Sequence, residues 1–101
     1  MTPMQRLELI IERMAYKRAC RVLEQAGITG YTVVPALAGF GGGNHWQRDT
    51  DISGANDMVV IVTIGDAVKI EAALEHLRSV FDSHIGILNI SDVKVMRPDR
   101  F

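Results

Sequence analysis

The residues best suited to ligand chemistry are concentrated in one stretch, residues 39–56. This stretch contains five glycines and the only tryptophan of the chain, and its other notable side chains are His45, Arg48, Asp49 and Asp51. Long irregular segments in compact domains are usually functional or disordered. We therefore predict a binding loop that orders when it meets a ligand or a partner, with residues 41–53 mobile before it does.

Three features of this loop indicate what it could bind. Arg48 is its only cation and could hold a phosphate through two parallel hydrogen bonds, with a solvated loop charge as the alternative. Trp46 could anchor a partner protein, because tryptophan is enriched at interface hot spots, or could fold back onto its own assembly. The run from Gly39 to Gly43 lacks the Gly-Lys-Ser/Thr of a Walker loop, so it predicts either close backbone approach to a ligand or a flexible linker.

No metal site and no catalytic group are predicted. The histidine and the aspartates of the loop have a generic spacing for a metal ion. Cys20 stands in a helical pattern without a histidine nearby in sequence, which indicates a small buried residue rather than a nucleophile. Glu8 and Glu12 share one face of a strand, where carboxylates could do acid–base work or lie at a subunit interface. His84 precedes a glycine and is either a turn residue or a ligand contact.

Composition narrows the class of protein. The chain has 101 residues, a 48% hydrophobic fraction and a net charge of −1, which predict a single domain over residues 1–101 that assembles with copies of itself. No basic stripe is present, so neither nucleic acid nor a membrane surface is an expected partner. The start of the chain does not resemble a signal peptide, and the apolar runs are too short for membrane insertion. With a single cysteine, these features predict a cytoplasmic protein.

The hydrophobic pattern predicts the elements that must position the loop. Period-two or β-branched runs indicate strands, and apolar residues at helical spacing indicate helices. The predicted elements are a strand over Leu7–Arg13, a helix over Ala15–Ala26 ended by Gly27, a strand over Tyr31–Leu37 with Pro35 at an edge, a strand over Met58–Ile64 buried on both faces, a helix capped by Asp66, and a strand over 85–96.

The predicted order is β-α-β-β-α-β, which is the ferredoxin-like α+β arrangement. Two helices cover one face of a four-stranded antiparallel sheet. The other face is left bare, and the apolar content of the strands predicts that copies of the chain bury it.

At this point the residues themselves resemble those of a known family. The passage from Gly27 to Val33 resembles the Gly-x-x-Gly-x-Thr-Val of PII signalling proteins, and Gly39-Phe40-Gly41 resembles the opening of their T-loop. Ala55-Asn56, followed by Gly86-Ile87-Leu88 and Ile90, is most similar to the carboxysome-associated PII (CPII) and SbtB-like branch. The resemblance covers nearly the whole chain.

The resemblance implies a non-enzymatic PII-like trimer that binds adenine nucleotides in clefts between subunits and signals through the T-loop. It implies ADP or AMP as ligand, with cyclic AMP, ATP and bicarbonate as further candidates, no covalent cofactor, and a bicarbonate transporter or carboxysome-related protein as partner. With Arg48 added for its chemistry, the predicted nucleotide-binding positions are Tyr31, Thr32, Gly39, Phe40, Gly41, Arg48, Asn56, Gly86, Ile87, Lys94 and Arg97, and Trp46 is the predicted docking residue. Family members use basic residues on or after the last strand for phosphates, and Lys94, Arg97 and Arg100 are alternatives for that role.

The chain also departs from the family pattern. Ile87 stands where typical PII proteins have a phosphate-binding lysine, and Gly42 follows Gly41 where a glutamine supports Mg-ATP and 2-oxoglutarate binding. No counterpart of the modified T-loop tyrosine is present. These departures favour ADP or AMP over tight triphosphate binding.

Three other classes share the predicted fold. A CutA-like trimer linked to metal tolerance is the runner-up, although the glycine-opened loop favours PII. An acylphosphatase-like enzyme would hold phosphate on an arginine between the first strand and the first helix, where Arg13 stands without a glycine-rich cradle. An amino-acid-binding regulatory domain usually accompanies a catalytic domain.

Overall fold

The computed structural model describes residues 1–47 and 57–100. In chain order the elements are β1 (Thr2–Glu12), α1 (Arg13–Gln25), β2 (Thr32–Pro35), β3 (Ala38–Gly41), β4 (Asn44–Gln47), β5 (Met58–Gly65), α2 (Ala67–Ser83), β6 (Gly86–Val95) and a short 3-10 turn at Pro98–Arg100.

The main sheet has the strand order β2-β5-β1-β6, and all its pairings are antiparallel. This order, with both helices packed against the sheet, confirms the ferredoxin-like prediction. Strands β3 and β4 pair only with each other in a separate two-stranded sheet. The first half of the predicted irregular loop is therefore a β-hairpin, whereas residues 48–56 lie outside the described residues.

Strand β1 is the centre of the sheet and is longer than predicted. It pairs with β6 from Thr2 to Ile11, and the partner residues run from Val95 back to Gly86. This pairing extends the strand five residues before the apolar run that marks it in the sequence, because backbone hydrogen bonds do not require an apolar side chain. Arg13, predicted as the strand's last residue, begins α1 instead.

The core lies between the helices and one face of the sheet. Its fully buried members come from the odd positions of β1 and β5 and from the inner stripes of both helices; they include Leu7, Leu9, Ile11, Leu23, Ile61, Ile70, Leu77 and Val80. Burial alternates along β5 from Met58 to Gly65. The prediction that both faces of this strand are buried therefore holds for one face within the protomer, and the other face is half-exposed.

The helix boundaries follow from local chemistry. The Asp66 side chain accepts a hydrogen bond of 2.9 Å from the Lys69 backbone N–H, which caps α2 as predicted. Gly27 has a φ of +91° just after α1, the backbone conformation in which glycine commonly ends a helix. Neither helix in the described part of the chain is long and apolar enough to cross a bilayer.

Strand β2 is four residues long and lies at an edge of the sheet, opposite β6 at the other edge. Pro35 is its last residue, opposite Val59 of β5. The predicted edge position of Pro35 is confirmed, since proline has no N–H to donate to a further strand.

Candidate functional site

The hairpin β3–β4 carries the glycine and aromatic residues that the sequence marks for ligand or partner contact. Its turn is formed by Gly42 and Gly43, whose φ angles are +58° and +80°. Two successive positive φ angles are typical of the tight turn that suits hairpin twist, and glycine adopts them without strain. The glycine run is therefore neither a Walker loop nor a linker at these two positions, because it closes a hairpin.

Gly39 and Gly41 have different reasons to be glycine. A Cβ on Gly39 would lie 2.7 Å from Nε1 of Trp46, its cross-strand partner, so the indole covers this glycine directly. A Cβ on Gly41 would meet nothing within 4 Å, and its φ is not positive. Packing within the hairpin explains Gly39, whereas the described part of the chain does not explain Gly41.

The aromatic residues of the hairpin are also placed differently. Trp46 is half-buried, and its indole lies against Gly39 within the hairpin. Phe40 is 68% exposed and its ring stacks at 4.5 Å on the ring of His45. Of the two candidate contact aromatics, Phe40 is the one that the hairpin leaves open.

The base of the loop is tied to the start of α1. The Ala36 N–H donates to the Met58 carbonyl at 3.0 Å, and the Arg13 N–H donates to the Asp57 carbonyl at 2.9 Å. The Arg13 guanidinium also lies 3.9 Å from the Asp57 carboxylate, which is buried. Because α1 begins at Arg13 directly after β1 ends at Glu12, no loop is present there to cradle a phosphate, as an acylphosphatase-like site would require.

Gly86 opens β6 at the same end of the sheet. A Cβ there would lie 2.6 Å from the Ile10 carbonyl oxygen and 2.8 Å from the Phe81 ring. The close approach of two elements therefore requires glycine at this position, independently of any ligand. Ile87, the next residue, is 61% exposed on the face without helices.

A histidine and a carboxylate meet beside Gly86. Nδ1 of His84 lies 2.8 Å from Oε1 of Glu12, and the Ile85 N–H donates to the same oxygen at 3.1 Å. The sequence marks His84 and Glu12 as separate candidates and does not indicate that they are in contact. They are 72 positions apart, and only the pairing of β1 with β6 brings them together.

The start of β2 is held by two hydroxyl groups. Thr63, fully buried on β5, donates to the Gly30 carbonyl at 2.6 Å. The Tyr31 hydroxyl donates to the Glu24 carboxylate on α1 at 2.8 Å, and this hydrogen bond raises the pKa of Tyr31 above its usual range. Burial raises the pKa of the nearby Cys20 thiol, which fits the predicted buried residue. Tyr31, predicted as a nucleotide contact, directs its hydroxyl to α1.

The predicted site residues lie on opposite edges of one protomer. Thr32 is exposed on the β2 edge, and Gly86 and Ile87 lie on the β6 edge. Lys94 lies near the far end of β6, opposite Pro3, and the exposed Arg97 follows that strand. One protomer therefore does not bring these positions into a single site.

Lys94 lines a cavity in the described part of the chain. The cavity measures about 330 Å³ and is also bounded by Gln5, Ala67 and Asp92. It lies at the end of the sheet remote from Gly86. Arg48 and Asn56, the remaining predicted contacts, lie outside the described residues.

Within residues 1–47 and 57–100, no group of three or more His, Cys, Asp or Glu side chains is arranged to hold a metal ion. His45 instead stacks on Phe40. Asp49 and Asp51 fall outside the described ranges.

A four-stranded antiparallel sheet, two helices on one face and a hairpin projecting between β2 and β5 define a ferredoxin-like regulatory fold. The family described as "Nitrogen regulatory protein P-II" matches residues 4–100. The chain therefore belongs to the P-II family, as its motifs predict.

Solved structures place the chain near one branch of that family. CPII from Thiomonas intermedia K12, a nitrogen regulatory PII-like protein bound to ADP, AMP and bicarbonate, is 27% identical; the match covers 98% of this chain and 93% of CPII with a TM-score of 0.84. This likeness confirms the predicted resemblance to the CPII branch.

More distant structures share the fold. A PII-like signalling protein from Thermus thermophilus is 21% identical with a TM-score of 0.82, over 99% of this chain and 96% of that one. GlnK from B. subtilis, in complex with ATP, is 14% identical with a TM-score of 0.66, over 92% and 84% of the two chains. No curated protein matches the chain.

Proposed function

We propose that this protein is a non-enzymatic, cytoplasmic PII-like regulator that binds ADP or AMP in clefts between the subunits of a homotrimer. The observation that carries the proposal is the separation of the predicted contacts, with Thr32 on one edge of the sheet and Gly86 on the other. A cleft formed where the β2 edge of one subunit approaches the β6 edge of the next would bring them together. Thr32 would contact the adenine, and the loop bases and Gly86 would approach the phosphates.

The bare face of the sheet supports the trimer. Ile10, Val60 and Val34 form one cross-strand row there, and Ile87 continues the row on β6. Val34 is 47% exposed and Ile87 61% exposed in the protomer. Rows of exposed apolar side chains on a sheet favour burial against copies of the same chain.

Gly41 supports a ligand at the turn end of the hairpin, where it pairs with Asn44. Neither its backbone angles nor its surroundings within the described structure require glycine. A missing side chain in open space is explained if something outside the protomer approaches the backbone there. The bound ADP and AMP in CPII make an adenine nucleotide the proposed ligand.

We extend the proposal to inorganic carbon. CPII also binds bicarbonate, so bicarbonate is the proposed second ligand here. The proposed output is docking of the hairpin loop, with Trp46 and Phe40, onto a bicarbonate transporter or a carboxysome-related protein. Nucleotide would shift the loop between conformers in proportion to its difference in affinity for them.

The test is calorimetric titration of ADP, AMP and GDP into the protein and into Gly41→Val. We expect ADP and AMP to bind better than GDP, and the variant to lose ADP binding because valine blocks the backbone. Ala38→Val is the matched control, since it adds bulk to an exposed position on the same strand. Equal ADP affinity in Gly41→Val and wild type would remove Gly41 from the site.

A second readout tests signalling through the loop. Trp46 is the only tryptophan, and its contact with Gly39 makes its emission sensitive to the hairpin. We expect ADP to change that emission with the same saturation curve as the calorimetric titration. Nucleotide binding without any change in emission would show that the hairpin is not the output.

A further inference from the structure

The turn before β6 is held by hydrogen bonds that do not involve the imidazole of His84. The Glu12 N–H donates to the Ile85 carbonyl at 3.2 Å, and the Ile85 N–H donates back to the Glu12 carboxylate at 3.1 Å. These two hydrogen bonds satisfy the backbone groups that the turn exposes. The His84 imidazole is therefore not needed to hold the turn, and the carboxylate that closes the turn also holds the ring.

The contact with Glu12 fixes the orientation of the ring. An ionised carboxylate only accepts hydrogen bonds, so Nδ1 of His84, at 2.8 Å, carries a proton and donates it. Nδ1 makes the only hydrogen bond of this ring among residues 1–47 and 57–100. Nε2 is thus left as a second nitrogen on a ring that is already oriented, and the side chain keeps 21% of its surface accessible.

The His84 ring lies beside the proposed cleft, where it could contact a ligand. His84 lies two residues before Gly86 and three before Ile87, on the edge where the proposed function places the phosphate end of a nucleotide. The nearby Arg13 is already paired with the buried Asp57. His84 therefore has one ring nitrogen, Nε2, that makes no hydrogen bond to the described residues at this end of the sheet.

We propose that His84 binds an oxyanion through Nε2, with Glu12 as its positioning residue. The oxyanion is a phosphate group of the bound nucleotide or a bicarbonate ion, and the two share the negatively charged oxygen that the ring would contact. The inference rests on the proposed function, because the cleft beside Gly86 is the site of binding. A charge-assisted hydrogen bond of this kind is roughly twice as strong as a neutral one.

The proposal has a consequence for protons. With Nδ1–H given to Glu12, Nε2 can donate to an anion only after it takes up a second proton. The charged groups near this turn include Glu12 on β1, the pair formed by Arg13 and Asp57, and the exposed Asp82 near the end of α2, which also contributes the apolar Phe81. Binding of the anion through Nε2 therefore requires the doubly protonated ring.

The experiment compares wild type with His84→Asn. An asparagine amide can occupy the place of Nδ1 and donate to Glu12, so the variant keeps the turn and loses only the second nitrogen. ADP and adenosine, which lacks phosphate, are titrated calorimetrically in degassed buffer with and without added bicarbonate. His76→Gln is the matched control, because His76 is an exposed histidine on α2 away from the turn.

Two results support the proposal and separate the sources of the anion. If His84 binds the phosphate, His84→Asn loses about tenfold or more in ADP affinity and keeps its adenosine affinity. If His84 binds bicarbonate, the variant keeps the wild-type ADP affinity measured without bicarbonate, and added bicarbonate no longer changes that affinity. In either case the affinity of the wild type for the anion weakens as pH rises, because Nε2 donates only from the doubly protonated ring.

Other results overturn it. An equal loss of ADP and adenosine affinity would mean that His84 only shapes the cleft, and unchanged binding of both ADP and bicarbonate would remove it from the site. The pH dependence is measured on the wild type alone, so an anion affinity that does not weaken as pH rises contradicts the proposal even if the variant does not fold. Failure of the wild type to bind any nucleotide would instead contradict the proposed function.

Discussion

The two faces of the four-stranded sheet are built from alternate residues of the same strands and have different surroundings. On β1, Leu7, Leu9 and Ile11 point to the helices and are completely buried. Glu8 and Ile10, between them, lie on the other face and remain half-exposed. The odd positions of β1 thus form part of the protomer's core, and its even positions form part of a second surface.

The bare face is not simply an exposed copy of the core. Its apolar row is followed by a polar one, in which Glu8 accepts hydrogen bonds from Arg6 at 2.9 Å and from Asn89 at 3.1 Å. Charges arranged this way on a sheet face satisfy each other before any partner arrives. The bare face therefore combines apolar side chains with charges that are already paired, which suits the limited contact with other copies proposed above. The covered face consists of apolar side chains that the helices bury.

The largest effect on stability is expected on the covered face. Leu9→Ala should lower the free energy of unfolding by about 2–5 kcal/mol, because the vacated space is enclosed on all sides. Ile10→Ala, the neighbouring change on the bare face, should cost less, and its cost should depend on protein concentration if copies cover that face. Urea unfolding at two protein concentrations measures both losses. Equal losses for the two variants that do not depend on protein concentration would contradict the proposed difference between the faces.

Val60→Asp tests the bare face directly. Val60 lies between Val34 and Ile10 in the apolar row, so an aspartate there would bury an unpaired charge in a trimer but remain solvated in a monomer. We expect light scattering to give a three-chain mass for wild type and a one-chain mass for the variant, with unchanged helical circular dichroism. Val68→Asp, on an exposed position of α2, is the matched control and should leave the mass unaltered.

Thr63→Val examines the one fully buried hydroxyl on the covered face of the described sheet. The variant keeps the shape of the side chain but removes the donor to the Gly30 carbonyl. We expect a loss of about 1 kcal/mol in the free energy of unfolding. Thr32 on the neighbouring strand is exposed, so Thr32→Val should change the free energy of unfolding by less than half as much. A larger loss for Thr32→Val than for Thr63→Val would contradict the role given to the buried hydroxyl.

The smallest effect concerns the pH response of the bare face. Hydrogen bonds from Asn89 and Arg6 lower the pKa of Glu8 below its usual value of 4.5. A lowered folded-state pKa gives stability that is present above the unfolded-state pKa and is lost as pH falls through the folded-state value. Wild type should therefore exceed Glu8→Gln in stability by less than about 1 kcal/mol near neutral pH, and the gap should close in acid. A gap that is constant with pH would show that Glu8 acts by shape alone.

Much of the fold could be predicted because the sequence signals agree with each other. The cap at Asp66, the positive φ at Gly27 and the edge position of Pro35 each follow from the chemistry of one residue and are all present. The start of β1 and the hairpin could not be located. Thr2 to Arg6 is held by pairing with β6 rather than by an apolar pattern, and the two turn glycines of the hairpin, Gly42 and Gly43, stand in a glycine run that also fits a linker.

The site was less predictable, because its groups are assembled from distant segments. Sequence could mark Gly39 and Gly41 as unusual but could not separate a glycine covered by an indole from one left open. It could mark His84 but not its contact with Glu12 across 72 positions. Such pairs depend on strand register, which the hydrophobic pattern fixes only to within the face of a strand.

Pro35 has a consequence for aggregation. Strand β2 is a free edge in the protomer, and unpaired edges can add further strands without limit, which leads to fibres. This edge is only four residues long and ends in a residue without an N–H group. It therefore offers too few hydrogen bonds to template an extended ladder, so open-ended growth through this edge is disfavoured.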